Sequence, residues 1–340
     1  MKRPLVTQGP QIAPVGLGTW AMSGPWRFGW GPVDDEESAA AIRYAIDAGI
    51  NWIDTAAIYG LGHGEEVIGR ALAGLMPGED VLLFTKCGRR WTQGADGVDI
   101  GFDLRPESIR FECEQSLRRL GVERIDLYQF HWPDYDTGTP VEESWGAMAE
   151  LQDAGKVRWL GVCNFQLDLL QRIEAVRHVD SLQPPLSMLN RHARGELISW
   201  CAENGTGVIA YSPMASGLLT GGFDLSRVAE DDWRRRGAAF QEPSLSQALA
   251  LVERLRPIAA GAGCTVATLA VAWTLAVPGV TGAIVGARRP SQVDGWLPAA
   301  GVELSAEDVA EIERAIAETG AGTDDPPQPP VSILGTPTTR

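Results

Sequence analysis

Asn51-Trp-Ile-Asp-Thr-Ala-Ala-Ile-Tyr59 joins a short apolar segment to a carboxylate and, shortly after it, to a tyrosine. The apolar run from Ile50 to Ile53 predicts a buried strand that ends at Asp54. A carboxylate at the tip of an inner strand is costly to bury unless a cation meets it. The stretch therefore predicts that another part of the chain brings a positive charge to Asp54.

Two later apolar segments end in suitable partners. Val81-Leu-Leu-Phe-Thr-Lys86 ends in a lysine, and Ile125-Asp-Leu-Tyr-Gln-Phe-His131 ends in a histidine. A lysine ammonium beside a tyrosine favours the phenolate and lowers the pKa of the tyrosine, and a histidine can donate a hydrogen bond to a carbonyl oxygen. Together the groups predict a site that protonates an oxygen as negative charge develops on it. The spacing alone equally allows a structural ion pair with an unrelated tyrosine and histidine.

Apolar strands alternate with amphipathic helices along the chain, which predicts parallel pairing. The predicted strands are 15–19, 50–54, 81–86, 125–130, 157–162, 181–186, 207–211 and 281–285. The helices predicted between and after them are 34–48, 64–74, 106–120, 141–154, 166–176, 194–204, 265–276 and 290–297, with 246–261 and 305–317 outside the repeat.

Repetition of this unit predicts the α/β class and a (β/α)8 TIM barrel, with its active site at the C-terminal strand ends. A doubly wound sheet is the alternative, although the first strand–helix junction lacks Gly-x-Gly-x-x-Gly. We expect a single barrel domain over 1–320, closed at the N-terminus by a hairpin turning at Gly9-Pro10, and a Pro-rich tail over 321–340. The segment between strand 81–86 and helix 106–120 is predicted to be a loop.

Composition limits the classes of partner. The 340-residue chain has a formal charge of −15, which argues against nucleic acid or an anionic membrane as a partner. Five scattered cysteines and a Met1-Lys-Arg-Pro start without an apolar run predict reduced thiols and a cytoplasmic location. The four histidines have no metal-site spacing, so we expect no metal. No oligomeric state is indicated.

At the residues quoted above the chain resembles the aldo-keto reductase family. The matching stretches are Asp54-Thr-Ala-Ala-Ile-Tyr59-Gly60, Phe84-Thr-Lys86 and Asp126-Leu-Tyr-Gln-Phe-His131-Trp132. The resemblance implies a catalytic tetrad that reduces the aldehyde or ketone carbonyl of a small-molecule substrate with NADPH, Tyr59 being the general acid. The tetrad is Asp54, Tyr59, Lys86 and His131. Barrels of this family also serve as nicotinamide-sensing subunits of ion channels, so a cofactor-binding subunit with little turnover is an alternative.

Three further strand ends carry polar or aromatic residues suited to a nicotinamide. The amides of Asn164 and Gln183 match the donor and acceptor of a carboxamide, and Tyr211 offers a flat face for stacking. The resemblance assigns them those roles. The small residues of 212–218 suit backbone contact with a pyrophosphate. The cofactor residues predicted there are Ser212, Pro213, Gly217 and Leu218.

The last strand ends Gly286-Ala-Arg-Arg-Pro-Ser-Gln292, just before a predicted helix start. The resemblance implies that Arg288 binds the 2′-phosphate of NADPH and that Gly286 and Gln292 lie along the cofactor. Trp296 stands where the family often has an asparagine near the adenine, so that contact is in doubt.

Aromatic loop residues predict the substrate pocket, because aromatic walls bind flat or apolar molecules. We expect Trp20, Trp26 and Trp132 to line it. The segment 219–243 carries mixed charge and follows the predicted phosphate segment. It is either a lid over the cofactor or a solvated loop.

Overall fold

Within residues 2–6, 9–94 and 97–329, which the computed structural model describes, eight parallel strands close into a barrel. The strands, in chain order, are β1 (Arg3–Pro4), β2 (Gln11–Ile12), β3 (Val15–Gly18), β4 (Trp52–Asp54), β5 (Leu82–Cys87), β6 (Arg89–Gly94), β7 (Gly97–Phe102), β8 (Ile125–Phe130), β9 (Val157–Cys163), β10 (Ser181–Gln183), β11 (Gly207–Tyr211) and β12 (Val280–Gly286). The barrel order is β3, β4, β5, β8, β9, β10, β11 and β12, and β12 pairs with β3. The predicted barrel is confirmed, and the doubly wound alternative is wrong because the sheet closes on itself.

Helices alternate with the barrel strands and cover the barrel from outside. They are α1 (Asp35–Asp47), α2 (His63–Ala71), α3 (Pro106–Leu120), α4 (Val141–Asp153), α5 (Leu167–Glu174), α6 (Glu196–Asn204), α7 (Ser244–Gly261), α8 (Val266–Ala276), α9 (Pro290–Asp294) and α10 (Ala306–Thr319). Their ends follow local chemistry: the Asp34 side chain accepts from two amides at the start of α1, and Ser305 and Asp308 form a capping box on α10. As predicted, α7 and α10 lie outside the repeat, where they pack against each other.

Large apolar side chains fill the inside of the barrel. Trp52, Phe84 and Leu127 form one buried cluster there with Ile209 and Ile284. The Trp52 ring lies so close to β3 that a Cβ on Gly16 would come within 2.2 Å of it. Glycine is therefore required at this position in β3. A second, larger cluster fills the space between the strands and the helices.

The N-terminal hairpin is confirmed: β1 pairs antiparallel with β2, and its Leu5 and Ile12 join the interior cluster. The turn is not centred on Gly9-Pro10, because the Leu5 N–H already donates to the Pro10 carbonyl at 2.9 Å, and residues 7–8 lie outside the described part of the chain. By contrast, the predicted loop before α3 is wrong. It contains the antiparallel hairpin β6–β7, whose Ile100 belongs to the same buried cluster as Ile58, and the partly buried Tyr59 packs against this cluster. The alternation in Gly97-Val-Asp-Ile-Gly-Phe102 is the signal for a strand.

The predicted tail begins with an attached segment. Thr323 pairs with Asn190, and Arg191 binds the Asp324 carboxylate at 3.1 Å. Residues 330–340 lie outside the described part of the chain.

Strand β10 ends earlier than predicted because Pro184 and Pro185 follow it, and proline has no N–H to donate to the hydrogen-bond ladder of the sheet. None of the described helices is both long and apolar enough to span a membrane by itself, and the one pair that passes together, α7 with α8, is bent by 85°.

Candidate active site

A buried ion pair joins the ends of the neighbouring strands β4 and β5. Lys86 Nζ donates to Asp54 Oδ1 at 2.5 Å and to the carbonyl oxygen of Thr55 at 2.8 Å. The side chains of Lys86 and Asp54 are 0% and 4% exposed. A buried pair of this kind requires good geometry and further hydrogen bonds to offset its desolvation.

The other oxygen of Asp54 receives those further bonds. Gln183 Nε2 donates to Asp54 Oδ2 at 2.8 Å, and Gln129 Nε2 donates to the same atom at 3.3 Å. The two glutamines are also joined to each other at 3.2 Å. Asp54 is therefore held from three strands, β5, β8 and β10. The structure gives Gln183 a partner that its predicted cofactor role did not include, although its side chain also lines the cavity described below.

Tyr59 lies beside this pair. Its ring centre is 5.3 Å from Lys86 Nζ, and its ring meets that of His131 edge-on at 5.7 Å. Burial, followed by the nearby Asp54 carboxylate and Cys163 thiol, raises the pKa of Tyr59 well above its ordinary value of 10.0. The expected lowering of this pKa by Lys86 is thus wrong for this structure, because the effect of burial on the pKa of Tyr59 is larger and the Asp54 carboxylate adds to it. Tyr59 is a neutral phenol at neutral pH.

His131 follows β8, and its backbone N–H donates to the carbonyl of Cys87 at 2.9 Å. Burial, then the charges of Lys86 and Arg89, lower the pKa of His131 well below its ordinary value of 6.5. The imidazole is therefore neutral at neutral pH. Its Nδ1 has no hydrogen-bond partner in the described part of the chain. The four residues of the predicted tetrad are brought together.

A cavity of about 790 Å³ opens at these strand ends. Asp54, Tyr59 and His131 line it, whereas Lys86 lies behind them, 1% exposed. The predicted pocket residues also line the cavity: they are Trp20, Trp26 and Trp132. The ring of Trp20 stacks on that of Tyr59 at 6.4 Å. The cavity thus has an aromatic wall beside the phenol.

Asn164 and Tyr211 form another part of the lining. The Tyr211 hydroxyl donates to Asn164 Oδ1 at 2.8 Å, and Asn164 Nδ2 donates to the carbonyl oxygen of His131 at 3.1 Å. Asn164 has a φ of 64°, a conformation that costs energy in a residue other than glycine. This strain at a strand end directs the amide toward Tyr211 and His131, while the amide oxygen keeps a second lone pair.

The segment after β11 has an unusual backbone. Positive φ angles occur at Ser212, Ala215, Ser216 and Gly217. Successive residues of this kind turn amide groups toward one side and make anion-binding concavities, which fits a pyrophosphate. Ser212, Pro213 and Gly217 line the cavity. Leu218 does not: its side chain is 1% exposed and packs in the outer core.

Arg288 also lines the cavity, together with Gly286 and Gln292. Its guanidinium donates to the carbonyl oxygens of Trp30 and Pro32 at 3.3 and 3.0 Å, and Gln292 Oε1 accepts from its backbone N–H at 2.7 Å. Two of the five guanidinium donors are thus used to tie the loop after β3 to the end of β12. Trp296 is 2% exposed and is not among the lining residues.

This geometry agrees with the comparison of the sequence with known proteins. Residues 14–317 match the family model described as "Aldo/keto reductase family". The chain belongs to the aldo/keto reductase family. It is an oxidoreductase of the carbonyl-reducing type, and a nicotinamide is the cofactor of this family.

Two curated relatives of this aldo-keto reductase have 35% identity to it. The aldo-keto reductase YhdN of Bacillus subtilis (strain 168) aligns over 92% of each chain. The NADH-specific methylglyoxal reductase of Escherichia coli (strain K12) aligns over 93% of this chain and 98% of its own. Among solved structures, the glycerol dehydrogenase AKR11B4 from Gluconobacter oxydans superposes with a TM-score of 0.84, at 35% identity, over 98% of both chains.

Several lining residues were not predicted from the sequence. Phe28, Arg89, Trp233, Arg234 and Gln328 line the cavity of the reductase. Trp233 lies in the segment 219–243, and its ring stacks on Trp20 at 5.4 Å. Of the two alternatives for that segment, the merely solvated loop does not fit, because the tryptophan packs at the cavity. No group of three or more potential metal ligands occurs among the described residues.

Proposed function

We propose that this reductase converts an aldehyde or ketone into an alcohol with NADPH, and that Tyr59 donates the proton. The observation that carries the proposal is the convergence of Tyr59, Lys86 and His131 at one end of a cavity. Bound there, the nicotinamide supplies a hydride to the carbonyl carbon. The residues of the chain have to receive the negative charge that then develops on the carbonyl oxygen.

Tyr59 is suited to give up a proton at that moment. As a neutral buried phenol it keeps its proton up to high pH, and an alkoxide is a stronger base than a phenolate, so the transfer is favourable. The Lys86 charge, 5.3 Å from the ring centre, stabilises the phenolate that results. Asp54 keeps Lys86 in place through the 2.5 Å bond. Asp54 and Lys86 therefore act through Tyr59.

His131 is suited to orient the carbonyl. A neutral imidazole has one N–H donor and one acceptor, and it adds no positive charge that would compete with Lys86. Its edge-on contact with Tyr59 brings both donors to the same part of the cavity. We propose that the carbonyl oxygen lies between them, where both hydrogen bonds strengthen as the oxygen becomes negative.

NADPH is favoured over NADH in this proposal because of Arg288. Three of its guanidinium donors remain after the bonds to Trp30 and Pro32, and α9 begins at Pro290, next to it. A forked guanidinium suits a phosphate. The name of the E. coli relative states the opposite preference, for NADH, so the activity with NADPH has to be compared with the activity with NADH.

The substrate proposed is a small carbonyl compound. The aromatic wall formed by Trp20, Trp26 and Trp132 supports an apolar or flat body next to the reacting group. The printed names of two relatives, a methylglyoxal reductase and a glycerol dehydrogenase, support small oxygenated molecules. Steady-state reduction of 4-nitrobenzaldehyde and methylglyoxal, followed by NADPH absorbance, tests the activity. Absence of turnover with cofactor bound would favour the regulatory-subunit alternative.

The cofactor preference is tested with a matched pair of arginines. We expect kcat/KM with NADPH to exceed that with NADH at least tenfold, and Arg288→Ala to reduce this ratio by a similar factor. Arg289→Ala is the control, because Arg289 does not line the cavity and lies 3.6 Å from Glu37. Equal use of both cofactors by the unmodified enzyme, or equal effects of the two substitutions, would contradict the assignment of Arg288.

A further inference from the structure

Arg89 is a buried arginine in the wall of the cavity. It begins β6, three residues after Lys86, and only 4% of it is exposed. Its guanidinium lies over the ring of Phe102, 3.9 Å from the ring centre. Its Nη1 atom has no hydrogen-bond partner within residues 2–6, 9–94 and 97–329. Leaving a buried donor without a partner is unfavourable, so a ligand oxygen that accepts a hydrogen bond from this atom would be stabilising.

Arg89 carries a positive charge in this wall. Burial lowers its pKa to about 10, and the neighbouring Asp136 carboxylate acts in the opposite direction, so the guanidinium is ionised at neutral pH. The charge of Arg89 also acts on the active site, because it is one of the charges that lower the pKa of His131. The cation therefore lies near the residue proposed to orient the substrate carbonyl.

The other charged groups that line the described part of the cavity have partners already. The Asp54 carboxylate is bound by Lys86, Gln183 and Gln129. Arg234 binds Asp232 at 2.7 Å, and Arg288 binds two backbone carbonyls, its remaining donors being those proposed for the cofactor phosphate. The lining includes three arginines against the single carboxylate of Asp54, although the whole chain has a charge of −15. The cavity is thus suited to an anion, and Arg89 has a donor atom to spare.

The surroundings of Arg89 belong to the substrate side of the cavity. Phe102, on which it stacks, is its partner across the β6–β7 hairpin. The same hairpin contributes Ile100 to the cluster that contains Ile58 and borders Trp26, Phe28 and Tyr59. Arg288, the residue proposed for the cofactor phosphate, lies elsewhere, in the segment that follows β12. An anion at Arg89 would therefore belong to the substrate.

We propose that Arg89 determines specificity by binding a carboxylate on the substrate, so that the enzyme prefers aldehydes or ketones that also carry a carboxylate. This inference rests on the proposed carbonyl reduction at the same site. A carboxylate is favoured over a neutral hydroxyl because a charge-assisted hydrogen bond is about twice as strong as a neutral one. It would also balance a charge that is expensive to bury.

Matched pairs of acid and ester substrates test the proposal. The pairs are succinic semialdehyde with its methyl ester and 4-carboxybenzaldehyde with its methyl ester, which differ in the distance from carbonyl to carboxylate. We expect the unmodified enzyme to have a kcat/KM at least tenfold higher for the acid in one pair or both. Arg89→Met should reduce this ratio at least tenfold, while Arg89→Lys keeps part of it. Arg90→Met should leave it unchanged, because Arg90 stacks on Phe111 and does not line the cavity.

A binding measurement makes the result independent of turnover. Benzoate and benzamide are titrated against the enzyme–cofactor complex, with the quenching of tryptophan fluorescence as the signal. We expect benzoate to bind at least tenfold more tightly, and Arg89→Met to abolish the difference. Equal binding of the two by the unmodified enzyme, or a preference that persists in Arg89→Met, would overturn the proposal. If neither acid nor ester is reduced but benzoate binding depends on Arg89, the proposed reduction fails and the anion site stands.

Discussion

Gln183 Nε2 lies 2.8 Å from Asp54 Oδ2, on the carboxylate oxygen that does not receive the short bond from Lys86. The two residues are on strands β10 and β4, which are not neighbours in the barrel. The bond therefore crosses the interior of the barrel. It links a residue predicted to bind the cofactor to the ion pair that supports Tyr59.

Gln183→Leu tests which of these tasks Gln183 performs. If it holds Asp54, the substitution should destabilise the protein by roughly 1.5–3 kcal/mol and lower kcat about tenfold, with the Kd for the cofactor unchanged within threefold. Gln129→Leu is the matched control, because Gln129 donates to the same oxygen but does not line the cavity. Urea unfolding measures the stability, steady-state kinetics the kcat, and fluorescence titration the Kd of the cofactor. A cofactor Kd raised tenfold in Gln183→Leu alone would assign Gln183 to the nicotinamide instead.

Tyr59→Phe removes the proposed proton donor and keeps the ring that packs on Trp20. General acid catalysis contributes about 10²–10⁴-fold, so we expect kcat for carbonyl reduction to fall by about three orders of magnitude. The Kd for NADPH should stay within threefold of its original value, since the cofactor contacts are unchanged. Tyr44→Phe, which removes a phenol hydroxyl bound to Asp294 at the surface, controls for loss of a hydroxyl as such. Turnover in Tyr59→Phe equal to that of the unmodified enzyme would disprove the role of Tyr59.

The barrel was predictable because it depends on local patterns, whereas the tetrad was assigned through the family resemblance, since the spacing alone equally allowed a structural ion pair. Three of the apolar runs led to Asp54, Lys86 and His131, and parallel strands bring their C-terminal ends to one rim. The contribution of Gln129 follows a weaker pattern: it lies two residues after Leu127, so both side chains point into the barrel. The same alternation would have identified it.

Other features depend on contacts that no local pattern specifies. Burial raises the pKa of Tyr59 against the expected effect of Lys86, and burial is a property of the assembled barrel. The contact of Trp233 with Trp20 joins two irregular segments that are far apart in the chain. The Arg288 bonds to Trp30 and Pro32 likewise connect β12 to a loop without periodicity.

Trp233→Ala tests whether the segment 219–243 retains the cofactor. The Trp233 ring stacks on Trp20 at 5.4 Å and meets Trp30 edge-on at 6.0 Å. Such pairs are worth about 0.5–1.5 kcal/mol each, and about 1.4 kcal/mol is tenfold in an equilibrium constant. The two pairs together are worth about 1–3 kcal/mol, so we expect NADPH to dissociate about five- to 140-fold faster in stopped-flow fluorescence. Arg236→Ala, an exposed neighbour, should leave the rate unchanged. Identical rates in all three proteins would show that the segment does not retain the cofactor.

Glu112 connects stability to pH at a position behind the active site. It is 3% exposed, and its Oε1 accepts from the backbone N–H of Gly88 at 3.1 Å. Burial raises the pKa of this carboxyl from 4.5 to about 8, against the opposing effects of the Gly88 amide and Arg90. Above pH 4.5 the unfolded chain releases this proton while the folded chain keeps it, so folding becomes less favourable as pH rises. The loss of stability is complete above about pH 8.

The substitution Glu112→Gln tests this dependence, because glutamine does not titrate and retains an acceptor for the Gly88 N–H. The free energy of unfolding of Glu112→Gln, relative to that of the unmodified enzyme, should therefore increase between pH 5 and 8. The increase is about 1.4 kcal/mol per pH unit, up to a few kcal/mol in all. Urea unfolding at pH 5, 7 and 9 measures this difference, and Glu107→Gln, at an exposed position on the same helix, is the control. If the free energies of unfolding of Glu112→Gln and of the unmodified enzyme change in parallel with pH, the prediction is contradicted.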